Sequence, residues 1–103
     1  MNEIGFRNWL SKNNFSKKMQ SDFISRLKRL ERAIDNCDLD QQYQSDRFLY
    51  LLSLFENKGI NDNMNKLSNE VDLPIGTYQL STFKYALNKY KMFLEDKTTL
   101  MLE

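Results

Sequence analysis

The chain has 103 residues, 41% apolar and 13% aromatic, with a net charge of +1, one cysteine and no histidine. That length supports one domain around one modest core, and the missing histidine excludes His-dependent nucleophile triads, His-Glu-x-x-His zinc hydrolases and two-His metal sites. Cys37 alone cannot form an internal disulfide and has no histidine to activate it, so an enzyme is not expected, nor is a metal or a cofactor. From the N-terminus, Glu3 to Leu10 gathers Ile4, Phe6, Trp9 and Leu10, the pattern of a short helix closing over a core. Asn13 and Asn14 end it, and Ser16 is a suitable N-cap for a long helix reaching Ile34.

At about 100° per residue, Met19, Phe23, Leu27, Leu30 and Ile34 of that long helix share one narrow arc. Lys17, Lys18, Lys28, Arg29 and Arg32 lie opposite, with Ser21 and Ser25 among them. A polar turn follows at Asp35, Asn36, Cys37 and Asp38, and Asp38 or Asp40 caps a third helix running to about Asn57. Tyr43, Phe48, Leu49, Tyr50, Leu51, Leu52, Leu54 and Phe55 leave this helix little polar face, as expected at the centre of a bundle.

Gly59 is placed to end the third helix. A shorter fourth helix would align Ile60, Met64, Leu67 and Val71, with Asp62 as its cap. Leu73, Pro74, Ile75 and Gly76 interrupt helicity. The last helix begins between Thr77 and Ser81, runs to about Asp96, and buries Leu80, Phe83, Ala86, Leu87, Tyr90, Phe93 and Leu94. No stretch alternates as a strand does, so the expected architecture is an all-α bundle of about five helices in a single domain, residues 1–103. Leu102-Glu103 matches a common cloning scar, which would make the chain a domain cut from a longer protein.

The neutral total conceals a segregation of charge. Residues 1–34 carry eight Lys or Arg against three Asp or Glu, residues 35–80 three against eight, and residues 81–103 four against three. Cations interleaved with hydroxyls suit a row of phosphates. The last helix adds a second set, with Lys84 and Lys91 sharing a flank with Ser81 and Asn88, and Arg7 and Lys12 stand nearby in sequence. A groove for a polyanion requires Lys84 and Lys91 to stand beside Lys18, Lys28, Arg29 and Arg32. Tyr85 projects from the polar side of the last helix, available to stack on or bond to a partner. Asp35, Asp38 and Asp40 invite a metal reading but lack the Gly and distant Glu of a calcium loop, and helix caps account for them.

The order of a Ser-opened helix SKKMQSDFISRLKRLERAI, a central RFLYLLSLF and a closing STFKYALNKYKMFLE resembles the core-binding domain of phage integrases and other tyrosine recombinases, and similar modules of restriction-associated proteins. The closing run Tyr85-Ala86-Leu87-Asn88-Lys89-Tyr90-Lys91-Met92-Phe93-Leu94 is similar to that family's Ser-Ala-Leu-Arg-x-Phe-Tyr-x-Phe-Leu pattern, with Tyr85 in place of the small residue and Asn88 in place of the basic one. The resemblance implies a compact orthogonal, sterile-alpha-motif-like fold of two helical hairpins that forms half of a clamp around duplex DNA. The longest apolar run, Phe48 to Leu52, is too short to cross a membrane and the N-terminus lacks an apolar h-region, so a cytoplasmic protein, bacterial or phage-encoded, is expected. The resemblance carries phosphate or groove contact onto Lys17, Lys18, Ser21, Ser25 and Lys28, and onto Ser81, Lys84, Asn88 and Lys91. The strand-cleaving machinery of a recombinase belongs to a separate domain, so the implied role is non-catalytic. A helical protein-interaction domain, such as a small phage-encoded inhibitor docking on a host protein through the acidic middle segment, is the alternative.

Overall fold

A computed structural model of the chain describes residues 1–34, 37–67 and 71–102, with side chains through residue 96. The expected turn residues Asp35 and Asn36 and the terminal Glu103 lie outside the described residues. The protein is all-α: α1 (Glu3–Lys12), α2 (Lys17–Ala33), α3 (Leu39–Asp46), α4 (Leu49–Ser53), a 3-10 turn at Glu56–Gly59, α5 (Asp62–Asn65) and α6 (Leu80–Leu102), with no strand among the described residues. No helix among the described residues is long and apolar enough to cross a membrane.

The first two helices start where their caps dictate. Asn2 Oδ1 accepts from the Gly5 N–H at 3.0 Å and Ser16 Oγ from the Met19 N–H at 3.2 Å, each satisfying a donor of a first helical turn. Between them Asn14 takes the left-handed conformation at φ 67°, which Asn tolerates well. Phe6 and Leu10 are buried as expected, but Ile4 is exposed on the outer side of α1. On α2, Phe23, Leu27, Leu30 and Ile34 are buried while Met19 is exposed. Met19 sits at the edge of the apolar arc, and Gln20 takes the interior place because its side-chain amide donates to the Phe15 carbonyl at 2.8 Å.

The middle of the chain departs from the sequence expectation. No single helix runs from Asp38 to Asn57; α3 and α4 are separated by Arg47 and Phe48, both left-handed at φ 56° and 69°. A bulky residue held there costs about 1–2 kcal/mol, and burying its side chain offsets roughly 1.5–3 kcal/mol. Phe48 is fully buried, 5.5 Å from the Tyr43 ring and 6.4 Å from the Tyr90 ring. The break rotates the apolar run so that Phe48, Leu51, Leu54 and Phe55 enter the core while Leu49 and Tyr50 remain exposed. Asn57, Lys58 and Gly59 are left-handed in succession, which ends this segment at the glycine anticipated.

The fourth helix is one short turn, capped by Asn61, whose Oδ1 accepts from the Met64 N–H at 2.9 Å, rather than by Asp62. Ile60, Met64, Leu67 and Val71 consequently line a shallow depression with Gly59, Asn65 and Ile75 instead of a helical stripe. Within α6, Leu80, Phe83, Ala86, Leu87, Tyr90 and Phe93 are buried, as expected.

Tyr90 ties α6 to α3 and to the start of α1. Its O–H donates to Asp40 Oδ1, and its oxygen accepts from the Asn2 N–H at 2.8 Å. Glu31 Oε2 accepts from the Leu39 N–H at 3.2 Å and lies 3.4 Å from the Met1 amine, which also lies 3.8 Å from Asp40. Burial, then the hydrogen bond to Asp40, pushes the Tyr90 hydroxyl well above its ordinary range. This polar cluster and the edge-on contact between Phe6 and Tyr90, 5.1 Å between centroids, set α1, α2 and α6 against one another.

Candidate nucleic-acid interface

The site begins with the rotational setting of α2. With its apolar arc on the core, the opposite side presents Lys17, Lys18, Ser21, Ser25, Lys28 and Arg32, all exposed, with Arg29 half-buried at the edge. From Lys18 to Arg32 the ridge extends about 21 Å at 1.5 Å per residue. Among the described residues Lys17, Lys18, Arg26 and Arg32 have no ion-pair partner.

Ser25 stands on a crest between two grooves. The first, between α1 and α2, has a volume of about 270 Å³ and is lined by Glu3, Arg7, Ser21, Ile24, Ser25, Lys28 and Arg32. Arg7 is brought there by α1, and its Nη1 donates to Ser21 Oγ at 3.5 Å. Glu3 is the single acid in this lining, 3.2 Å from Lys28 and 3.8 Å from Arg7.

The second groove, between α2 and the start of α6, also has about 270 Å³ and is lined by Ser25, Arg26, Arg29, Gln79, Thr82 and Phe83. Arg29 lies 5.5 Å above the Phe83 ring, and its guanidinium donates to both the carbonyl and Oδ1 of Asp72 at 3.2 Å. Arg29 therefore has a packing role as well as a charge.

α2 and α6 run antiparallel, since the N-terminal part of α2 meets residues 85 and 89 while its later residues meet 79 to 83. Tyr85 is half exposed, with its ring 5.6 Å from Phe23, and Lys89 lies 5.3 Å from Tyr85 and 5.4 Å from Phe15. Thr82, Tyr85 and Lys89 thus make the flank of α6 that faces α2. At 100° per residue, Lys84, Asn88 and Lys91 centre roughly 130° around the helix from that flank. The structure does not bring Lys84 and Lys91 beside the α2 ridge. Lys91 instead pairs with Glu95 at 3.9 Å, and the Ser81 hydroxyl donates to the Tyr78 carbonyl at 2.7 Å.

The expected exposure of the α2 cations is met, and the expected placing of Lys84 and Lys91 beside them is not. Glu3, Arg26, Gln79, Thr82 and Lys89 were not singled out, because their placement depends on the phase of α1 and α6 against α2. Four carboxylates of the acidic middle segment are engaged within the fold. Asp38 Oδ1 caps α3, Asp40 accepts from Tyr90, Asp46 Oδ2 accepts from the Tyr50 N–H at 2.9 Å, and Asp72 holds Arg29. Among the described residues no three His, Cys, Asp or Glu are grouped to hold a metal ion. Cys37 is half-buried; burial, then the charges of Glu31 and Asp38, push its thiol up to about 11.

Comparison with protein-family models, curated proteins and solved structures finds no match to this chain.

Proposed function

We propose that this chain is a non-catalytic module that binds duplex DNA, seating the phosphate backbone along the α2 ridge with Arg7 of α1 beside it. The observation that carries this reading is the exposed row Lys18, Ser21, Ser25, Lys28 and Arg32, with Phe23, Leu27 and Leu30 on the other side of the helix buried in the core. Such a row supplies charge for affinity and hydroxyls for register. Its length matches the rise of roughly six base pairs along the duplex axis, at about 3.4 Å each. Sequence readout is minor in this arrangement, because the side chains on the crest are short or aliphatic-stemmed cations suited to phosphates. The role is the one that the resemblance to integrase core-binding domains implies, but the expected partnership of the ridge with Lys84 and Lys91 is not formed, and Arg7 of α1 stands beside it instead.

Four or five phosphate contacts predict that the logarithm of the binding constant falls with the logarithm of salt with a slope of about −4. Fluorescence anisotropy of a labelled mixed-sequence duplex titrated with the chain at several salt concentrations measures that slope. A slope near zero, or no binding at low salt, would refute the reading.

A further inference from the structure

The α1–α2 groove carries one feature that a polyanion site would not need, a carboxylate at its centre of charge. Glu3 Oε2 is 3.2 Å from Lys28 Nζ, and Glu3 Oε1 is 3.8 Å from Arg7 Nη2, so one carboxylate spans two cations supplied by different helices. Arg7 is further held by its bond to Ser21 Oγ, and Ser25 completes the polar lining. The two oxygens of a carboxylate and two non-bridging oxygens of a phosphodiester make equivalent demands on such a pair of donors. All three charged side chains are more than a third exposed, which makes this a solvated and readily broken ion pair. Glu3 has a long flexible side chain that can turn to solvent without disturbing the backbone.

We infer that Glu3 is an intramolecular stand-in for phosphate. In the free protein it occupies the seat between Arg7 and Lys28; when a backbone phosphodiester of DNA enters the groove, the carboxylate swings out and both cations transfer to the phosphate. The inference rests on the DNA-binding reading above and adds a self-competing anion to it. The seat keeps Arg7 and Lys28 correctly placed while no ligand is bound, and it lowers the affinity of any ligand that fails to displace the carboxylate.

The test compares Glu3→Gln, Asp22→Asn and the parent chain for binding of a labelled mixed-sequence duplex across a range of salt. Gln keeps the length of Glu while removing the competing charge. Glu3→Gln is expected to tighten binding about fivefold per released cation at physiological salt, with the salt slope close to the parent's because both forms neutralise the same phosphates. Asp22 lies on α2 without an ion-pair partner among the described residues, so Asp22→Asn changes the net charge equally but frees no cation. It is expected to leave the affinity within about twofold of the parent's. Adding Arg7→Ala to Glu3→Gln should remove about half of the gain. Circular dichroism of each variant checks that α1 is retained.

Equal behaviour of Glu3→Gln and the parent, or of Glu3→Gln and Asp22→Asn, overturns the inference. If that occurs while Lys18→Glu with Arg32→Glu still abolishes binding, the DNA reading stands without it. A parent chain with no salt-dependent binding overturns both.

Discussion

The two lysine-bearing helices, α2 and α6, carry similar charge patterns in sequence and hold different positions in the fold. On α2 the cations lie directly opposite the core, so the ridge is exposed along its length and opens into a groove on either side. On α6 the flank that meets α2 is Thr82, Tyr85 and Lys89, while Lys84 and Lys91 are carried around the helix and Lys91 is engaged by Glu95. A basic helix becomes part of a shared surface only through its phase against its neighbour. Charge count does not supply that phase.

The most severe test of this contrast is a pair of double charge reversals. Lys18→Glu with Arg32→Glu should weaken duplex binding roughly a hundredfold, two contacts being lost and two repulsions gained, whereas Lys84→Glu with Lys91→Glu should cost less than about threefold. Anisotropy titrations at one fixed salt concentration separate the two outcomes. A milder test moves a cation between flanks. Thr82→Lys combined with Lys84→Ala keeps the net charge and places a lysine where α6 faces α2, and binding should tighten about fivefold.

Smaller effects concern how the phase is held. Tyr85→Ala removes the ring packed 5.6 Å from Phe23 and should lower the unfolding free energy by about 1 kcal/mol in urea denaturation. Lys91→Ala removes only an exposed pair four residues apart on one helix and should change it by a few tenths of a kcal/mol at most.

Midway along α6, alkaline pH probes the polar cluster around Tyr90. Cys37 and Tyr90 both bind their protons more tightly in the folded chain than in the unfolded one. Their contribution is therefore complete below the unfolded thiol range near 9, and for Cys37 it is lost as pH rises toward about 11. Denaturation midpoints should fall over that window, and less steeply in Cys37→Ala.

How far the molecule was legible in its sequence follows from the same physics. The apolar arc of α2, its Ser16 cap and the buried face of α6 rest on local periodicity and a single side-chain bond, and both were readable. The break at Arg47 and Phe48 was not, because nothing local favours a left-handed phenylalanine. It is stabilised by the rings of Tyr43 and Tyr90, and Tyr90 lies more than forty residues away in sequence. The candidate surface divides likewise. The α2 ridge follows from one helix's own pattern, whereas the contribution of Arg7 and the turning of Lys84 and Lys91 depend on how three helices pack.

The measurement that tests the central claim most directly is a titration of isotope-labelled protein with a short duplex, followed by amide chemical shifts. The largest changes are expected at Arg7, Lys18, Ser21, Ser25, Lys28 and Arg32, with Lys84, Asn88 and Lys91 nearly unmoved. Changes centred on Lys84, Asn88 and Lys91, or none anywhere, would contradict it.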